Sequence, residues 1–67
     1  MFRYLIFYKI NISEDLINPI YEEYNAIIDG NESGPGEVDI INFRMFARKK
    51  HNTRSNPIIM NIMNLRG

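Results

Sequence analysis

The chain has 67 residues, no cysteine, and eight acidic against eight basic residues, so its formal charge at pH 7 is zero. That length is one small domain, residues 1–67, and the missing cysteine excludes disulfide staples, thiolate metal centres and a thiol nucleophile. A chain this short buries only about 60% of the surface it exposes when unfolded, so it needs unusually good packing, a bound partner or self-association, and self-association is the expected staple.

The zero balance hides a segregation. Residues 1–39 hold all eight acids and only Arg3 and Lys9 against them, a net −6; residues 40–67 hold six cations and no acid, a net +6. Opposite charge in the two halves favours either mutual attraction inside one fold or across a dimer, or separate partners for each half. Ile and Asn are heavily used, a composition associated with AT-rich genomes such as those of many viruses and mobile elements.

In chain order, Phe2–Ile10 is aromatic and β-branched and reads as a strand. Phe2, Tyr4, Ile6, Tyr8 and Ile10 share one face, and Leu5 and Phe7 make the other apolar as well, which marks a central strand or one covered twice. Its basic residue and apolar run resemble an export signal, but Lys9 interrupts the run and no small-residue cleavage site follows. In the next stretch Leu16, Ile17, Ile20, Tyr21, Tyr24, Ile27 and Ile28 follow the spacing of one helix face, with Gly30 as a stop. Its start is open between Ser13 and Asn18 as cap.

Residues 30–37, rich in Gly with one Pro, read as a loop. Residues 37–49 read as a second strand, with Ile41, Phe43, Met45 and Ala47 on one face and Ile40, Asn42, Arg44 and Phe46 on the other. Residues 47–57 read as a basic connector. The tail, from Pro57 to Leu65, suits a third strand on its β-branched content, or a short helix capped by Asn56. The longest uncharged run, residues 55–65, is too short to span a bilayer. The expected architecture is therefore α+β: a small single-layer sheet, β-α-β-β or β-α-β-α, with one amphipathic helix packed on it. The expected setting is intracellular and soluble, in the cytoplasm, with no membrane partner.

Two stretches invite chemistry. Arg48, Lys49, Lys50 and Arg54 would neutralise phosphates on a nucleic-acid backbone. Arg44 and Phe46, read on one strand face, would place a cation beside a stacking surface. The same charges would equally meet an acidic protein, or simply keep a loop solvated. Asp29, Asn31, Ser33 and Gly34 match the first half of a calcium loop, but Ile40 stands where a bidentate Glu belongs; a Gly/Asn/Ser turn is the better reading. The early carboxylates could also mimic DNA phosphates, although the positive half weakens that idea.

Catalytic readings are thin. His51 is the only histidine and sits among cations, which favours neither metal binding nor raised basicity. No phosphate-loop or dinucleotide pattern is present, and a short chain leaves little room for a substrate pocket. The expectation is a non-enzymatic interaction protein without cofactor, metal or small-molecule substrate. It would bind a protein or nucleoprotein, itself included as a homodimer, to regulate or inhibit it. Leu5 and Phe7 would anchor, while Arg44, Phe46, Arg48, Lys49, Lys50 and Arg54 would orient. The alternative is a nucleic-acid-binding protein using residues 44–54.

Overall fold

A computed structural model of the chain describes residues 2–13, 15 and 17–65. The expectations attached to Met1, Glu14, Leu16, Arg66 and Gly67 lie outside the described residues. Four elements follow in order: strand β1 (Phe2–Asn11), strand β2 (Tyr21–Gly30), helix α1 (Glu37–Lys50) and strand β3 (Ile58–Leu65). The fold is α+β, with one small three-stranded sheet and one helix.

β1 is the middle strand of the order β2-β1-β3, antiparallel to both neighbours. Its register with β2 runs without a break from Phe2 opposite Gly30 to Asn11 opposite Tyr21. Against β3 the register slips between Phe7 and Tyr8, where Asn61 and Ile59 stand opposite and Met60 is the extra residue of a bulge. β2 and β3 thus run parallel, and α1 carries the chain from one sheet edge to the other.

Two sequence expectations are corrected. Tyr21–Gly30 is a strand, not the second half of a helix, and Glu37–Lys50 is a helix, not a strand. In β2 the inward set is Tyr24, Ala26 and Ile28, at period two. Tyr24 and Ile28 also fit a helical period, so the pattern served both readings. In α1 the buried residues are Phe43 and Ala47, one helical turn apart, while Met45 is exposed. The helix boundaries carry their own chemistry. The Asp39 carboxylate accepts the Gly36 N–H at 2.8 Å, acids Glu37 and Asp39 occupy the first turn, and Arg48, Lys49 and Lys50 occupy the last. The tail is a strand, the first of its two sequence readings.

The core lies between α1 and one face of β1. Ile6, Tyr8, Ile10, Phe43 and Ala47 are buried together, and Tyr24, Ala26, Ile28, Ile40 and Ile59 pack around them. Tyr8 meets Phe43 edge to face, with ring centroids 5.0 Å apart. A fourteen-residue helix is about 21 Å long and a ten-residue strand about 33 Å, so one helix cannot cover the sheet. The molecule is accordingly elongated, 39 × 18 × 16 Å. α1 lies over the β1–β2 half, which leaves Ile62 on the helix side of β3 39% exposed.

Both connections that shape the ends are pinned by hydrogen bonds. Asn11 is buried, and its Oδ1 accepts the backbone N–H groups of Ser13 (2.9 Å) and Ile20 (3.1 Å), closing the base of the β1–β2 loop. At the opposite end the Tyr4 hydroxyl donates to the Asn31 carbonyl. Asn31 and Gly34 exchange backbone bonds of 3.0 and 3.1 Å around a turn, with Gly34 at φ 126°, a region that favours glycine. The calcium-like stretch is thus organised as a turn.

Candidate functional site

The cationic residues are brought together by the end of α1. His51 caps the helix, and Asn52 follows at φ 51°, in the left-handed region that Asn tolerates better than most residues. The Asn52 N–H then reaches the Lys49 carbonyl at 3.3 Å, and the Thr53 N–H reaches the Arg48 carbonyl at 3.0 Å. This pair of bonds is a Schellman motif, which ends the helix and turns the chain sharply. Thr53 Oγ1 next accepts the Ser55 N–H at 3.2 Å, fixing the following turn. The basic connector of the sequence reading is therefore the last helical turn plus a short, hydrogen-bonded corner.

The helix also corrects the placing of Arg44 and Phe46. Two positions apart on a helix is roughly 200°, so these side chains leave on opposite flanks rather than side by side. Arg44 instead shares a flank with Arg48, four residues on. Phe46 shares its flank with Lys50, whose Nζ lies 5.7 Å from the ring centroid. A cation does stand beside that aromatic ring, but it is Lys50. Arg44, Phe46, Lys49, Lys50 and Arg54 are exposed, and Arg48 is half-buried.

Charge is segregated along the molecule, in part. Asp29, Glu32, Glu37 and Asp39 cluster where β2 ends and α1 begins; Arg48, Lys49, Lys50 and Arg54 cluster where α1 ends. Glu22 and Glu23 begin β2 at the cationic end, and Lys9 stands opposite Glu23 in the register. The acidic half therefore reaches both ends of the molecule and meets one of its own cations along the β1–β2 ladder, while the end of α1 stays cationic.

His51 links this end to the core. Its Nε2 lies 2.9 Å from the Tyr8 hydroxyl, and its ring lies 4.2 Å from that of Tyr24. Burial, then the Lys50 charge, hold its pKa below the ordinary histidine value, against a smaller opposing pull from Glu22. Burial raises the Tyr8 hydroxyl pKa. At neutral pH the imidazole is uncharged and shares one hydrogen bond with the Tyr8 hydroxyl, its direction set by the ring tautomer. Histidine here is a packed, hydrogen-bonded lid on the core, and burial more than the neighbouring cation lowers its basicity.

Between the β1–β2 loop and this corner lies a cleft of about 570 Å³, lined by Ile12, Ser13, Arg48, Asn52, Thr53, Arg54 and Ser55. Sequence reasoning missed it because its walls come from segments some 35 residues apart. The only available signal was the run of hydroxyl and amide residues interleaved with Arg54.

The second surface is the uncovered sheet face. Leu5 and Phe7 stand at its centre and are half-buried. Ile27 and Met63, opposite Leu5 on either side, are 58% and 50% exposed. The face around Leu5 and Phe7 is bare and apolar, with Ile27 and Met63 beside them; Ile40 and Phe46, read from sequence as sharing an uncovered strand face, lie on the helix, with Ile40 packed against the core. Its margin continues along β3, whose sequence from Ile58 to Leu65 contains no charge. Edge strand β2, in contrast, carries Glu22, Glu23 and Asp29.

Among the described residues no cluster of three metal-ligating side chains occurs, and no helix is long and apolar enough to cross a membrane. No family model, curated protein or solved structure matches this chain.

Proposed function

We propose that this chain is a non-catalytic interaction protein that pairs with a second copy of itself through β3 and the adjoining bare face. The pair would present its cationic ends to a protein or nucleoprotein that it regulates or blocks. The observation that carries the reading is the unguarded edge. Sheet edges in folded proteins are normally blunted by charge, proline or distortion. β2 meets that expectation with three carboxylates; β3 has a single bulge at Met60 and four apolar side chains that are at least 39% exposed. A charged strand pairing with its own copy would set like charges opposite each other, whereas uncharged β3 faces no such penalty. Burial of Leu5, Phe7, Ile27 and Met63 would also supply the apolar area that so short a chain lacks.

Light scattering after gel filtration tests this. The expected mass is twice the monomer's 7.9 kDa, collapsing to the monomer in Met63→Lys, whose exposed position leaves the core untouched. A wild-type chain that stays monomeric across a concentration series refutes the reading.

A second reading is nucleic-acid contact through the cationic end. The flank shared by Arg44 and Arg48, with Lys49, Lys50 and Arg54 nearby, favours it. Binding of this kind falls steeply between about 50 and 200 mM salt, and Lys49→Gln with Lys50→Gln should remove it while sparing the dimer. Salt-insensitive binding would exclude a phosphate-backbone contact. The absence of cysteine suits a reducing, cytoplasmic setting for either reading.

A further inference from the structure

We propose that the cleft between the β1–β2 loop and the α1 corner is a binding site for a phosphoryl group, whether of a free nucleotide-sized ligand or of a nucleic-acid chain end. The proposal is independent of the dimer, because the cleft lies at the end of the helix and not on the bare face.

The lining is donor-rich. Arg48 and Arg54 each offer a planar fork of N–H groups, and the Asn52 amide adds an NH₂. The three hydroxyls come from Ser13, Thr53 and Ser55. Two of these already serve as acceptors inside the fold: Ser13 Oγ takes the Asp15 N–H at 3.0 Å and Thr53 Oγ1 takes the Ser55 N–H at 3.2 Å. Each therefore keeps an O–H to donate, so the cleft calls for a ligand that accepts. No carboxylate lines it among the described residues. The neighbouring acid Asp15 is turned into its own loop, where Oδ1 accepts the Ile17 N–H at 2.8 Å and Oδ2 the Asn18 side-chain amide at 3.2 Å.

A helix C-terminus ordinarily repels anions. Here the Schellman bonds occupy the Arg48 and Lys49 carbonyls, and Arg48 and Arg54 set two positive charges beside what remains. A phosphoryl group presents three oxygens with several lone pairs, which match two arginine forks plus hydroxyls better than a planar carboxylate does. The walls are held beforehand, by Asn11 on the loop side and by the Asn52–Ser55 bonds on the other. At about 570 Å³ the volume is within the range of small-ligand sites. Ile12 is the single apolar contributor, so recognition rests on the anion.

The test is an NMR titration of the ¹⁵N-labelled chain with inorganic phosphate, a nucleoside 5′-monophosphate, and an oligonucleotide with and without a 5′-phosphate. The expected result is a set of amide shifts centred on Ser13, Arg48 and Asn52–Ser55. Arg54→Gln, an exposed change that leaves the fold intact, should weaken binding by about tenfold to a hundredfold. Arg3→Gln, exposed at the opposite end of β1 from the cleft, should leave it unchanged, as a distant screened charge does. Tighter binding of the mononucleotide assigns the source to a free ligand. Tighter binding of the phosphorylated oligonucleotide, lost without its terminal phosphate, assigns it to a chain end; either supports the site. No shift at these amides, or shifts that Arg54→Gln leaves unchanged, overturns it.

Discussion

Replacing Phe43 by Ala tests the helix and its packing together. Phe43 is 2% exposed and meets Tyr8 edge to face at 5.0 Å, beneath a core of only a few fully buried side chains. Truncating a buried Phe costs about 3–5 kcal/mol, and loss of the ring pair with Tyr8 is part of that figure. A chain of this length has about 3–10 kcal/mol of stability in total, so the substitution removes about three-tenths of it at least. Each kcal/mol moves the melting temperature of so small a domain by about 4–8 °C, which puts the expected drop at roughly 12 °C or more. Met45→Ala supplies the contrast. A strand over residues 37–49 would place Met45 on the same face as Phe43, and both changes would be severe. On the helix Met45 is 56% exposed, so its truncation should stay within about 0.5 kcal/mol. Thermal melts followed by far-ultraviolet circular dichroism read both variants. If Met45→Ala destabilises as much as Phe43→Ala, the helical register of α1 is wrong.

Acid should weaken the fold through His51. Because its pKa is lowered in the folded state, the unfolded chain takes up the proton first, and stability falls as pH drops below about 6.5. Melting temperatures at steps from pH 8 to 5.5 should decline in wild type and decline less in His51→Gln; a wild-type value that rises over that range contradicts the arrangement with Tyr8 and Tyr24. Asn52 is the other sensitive point. Asn52→Gly relieves the left-handed backbone and should raise the urea midpoint slightly, whereas Asn52→Val should cost about 1–2 kcal/mol, and equal midpoints for the two would rule out the Schellman corner.

Much was decided locally. The aromatic, β-branched run Phe2–Ile10 read as a strand, and its apolar residues on both faces marked it as central or covered twice; it is central, with one face bare. The glycines and proline of residues 30–37 broke the chain where it does break, and the Ile-rich tail forms its strand. The bare face at Leu5 and Phe7 followed from one helix being too little cover for two apolar faces. The segments on either side of residues 30–37 were exchanged because each satisfies two periods. Tyr24 and Ile28 fit a strand and a helix alike, and Phe43 and Ala47 do the same. Partner availability decided between them. As β2, Tyr21–Gly30 gains a ten-residue ladder along β1, while a helix so short has little stability of its own. Gly36, the first-turn acids, the last-turn cations and Asn52 marked α1, but these boundary signals are visible only once the segment between them is allowed to be helical. The cleft was beyond local reading altogether: Ser13 and Arg54 share it because β1 and α1 run side by side and end together, a fact of packing and not of either segment.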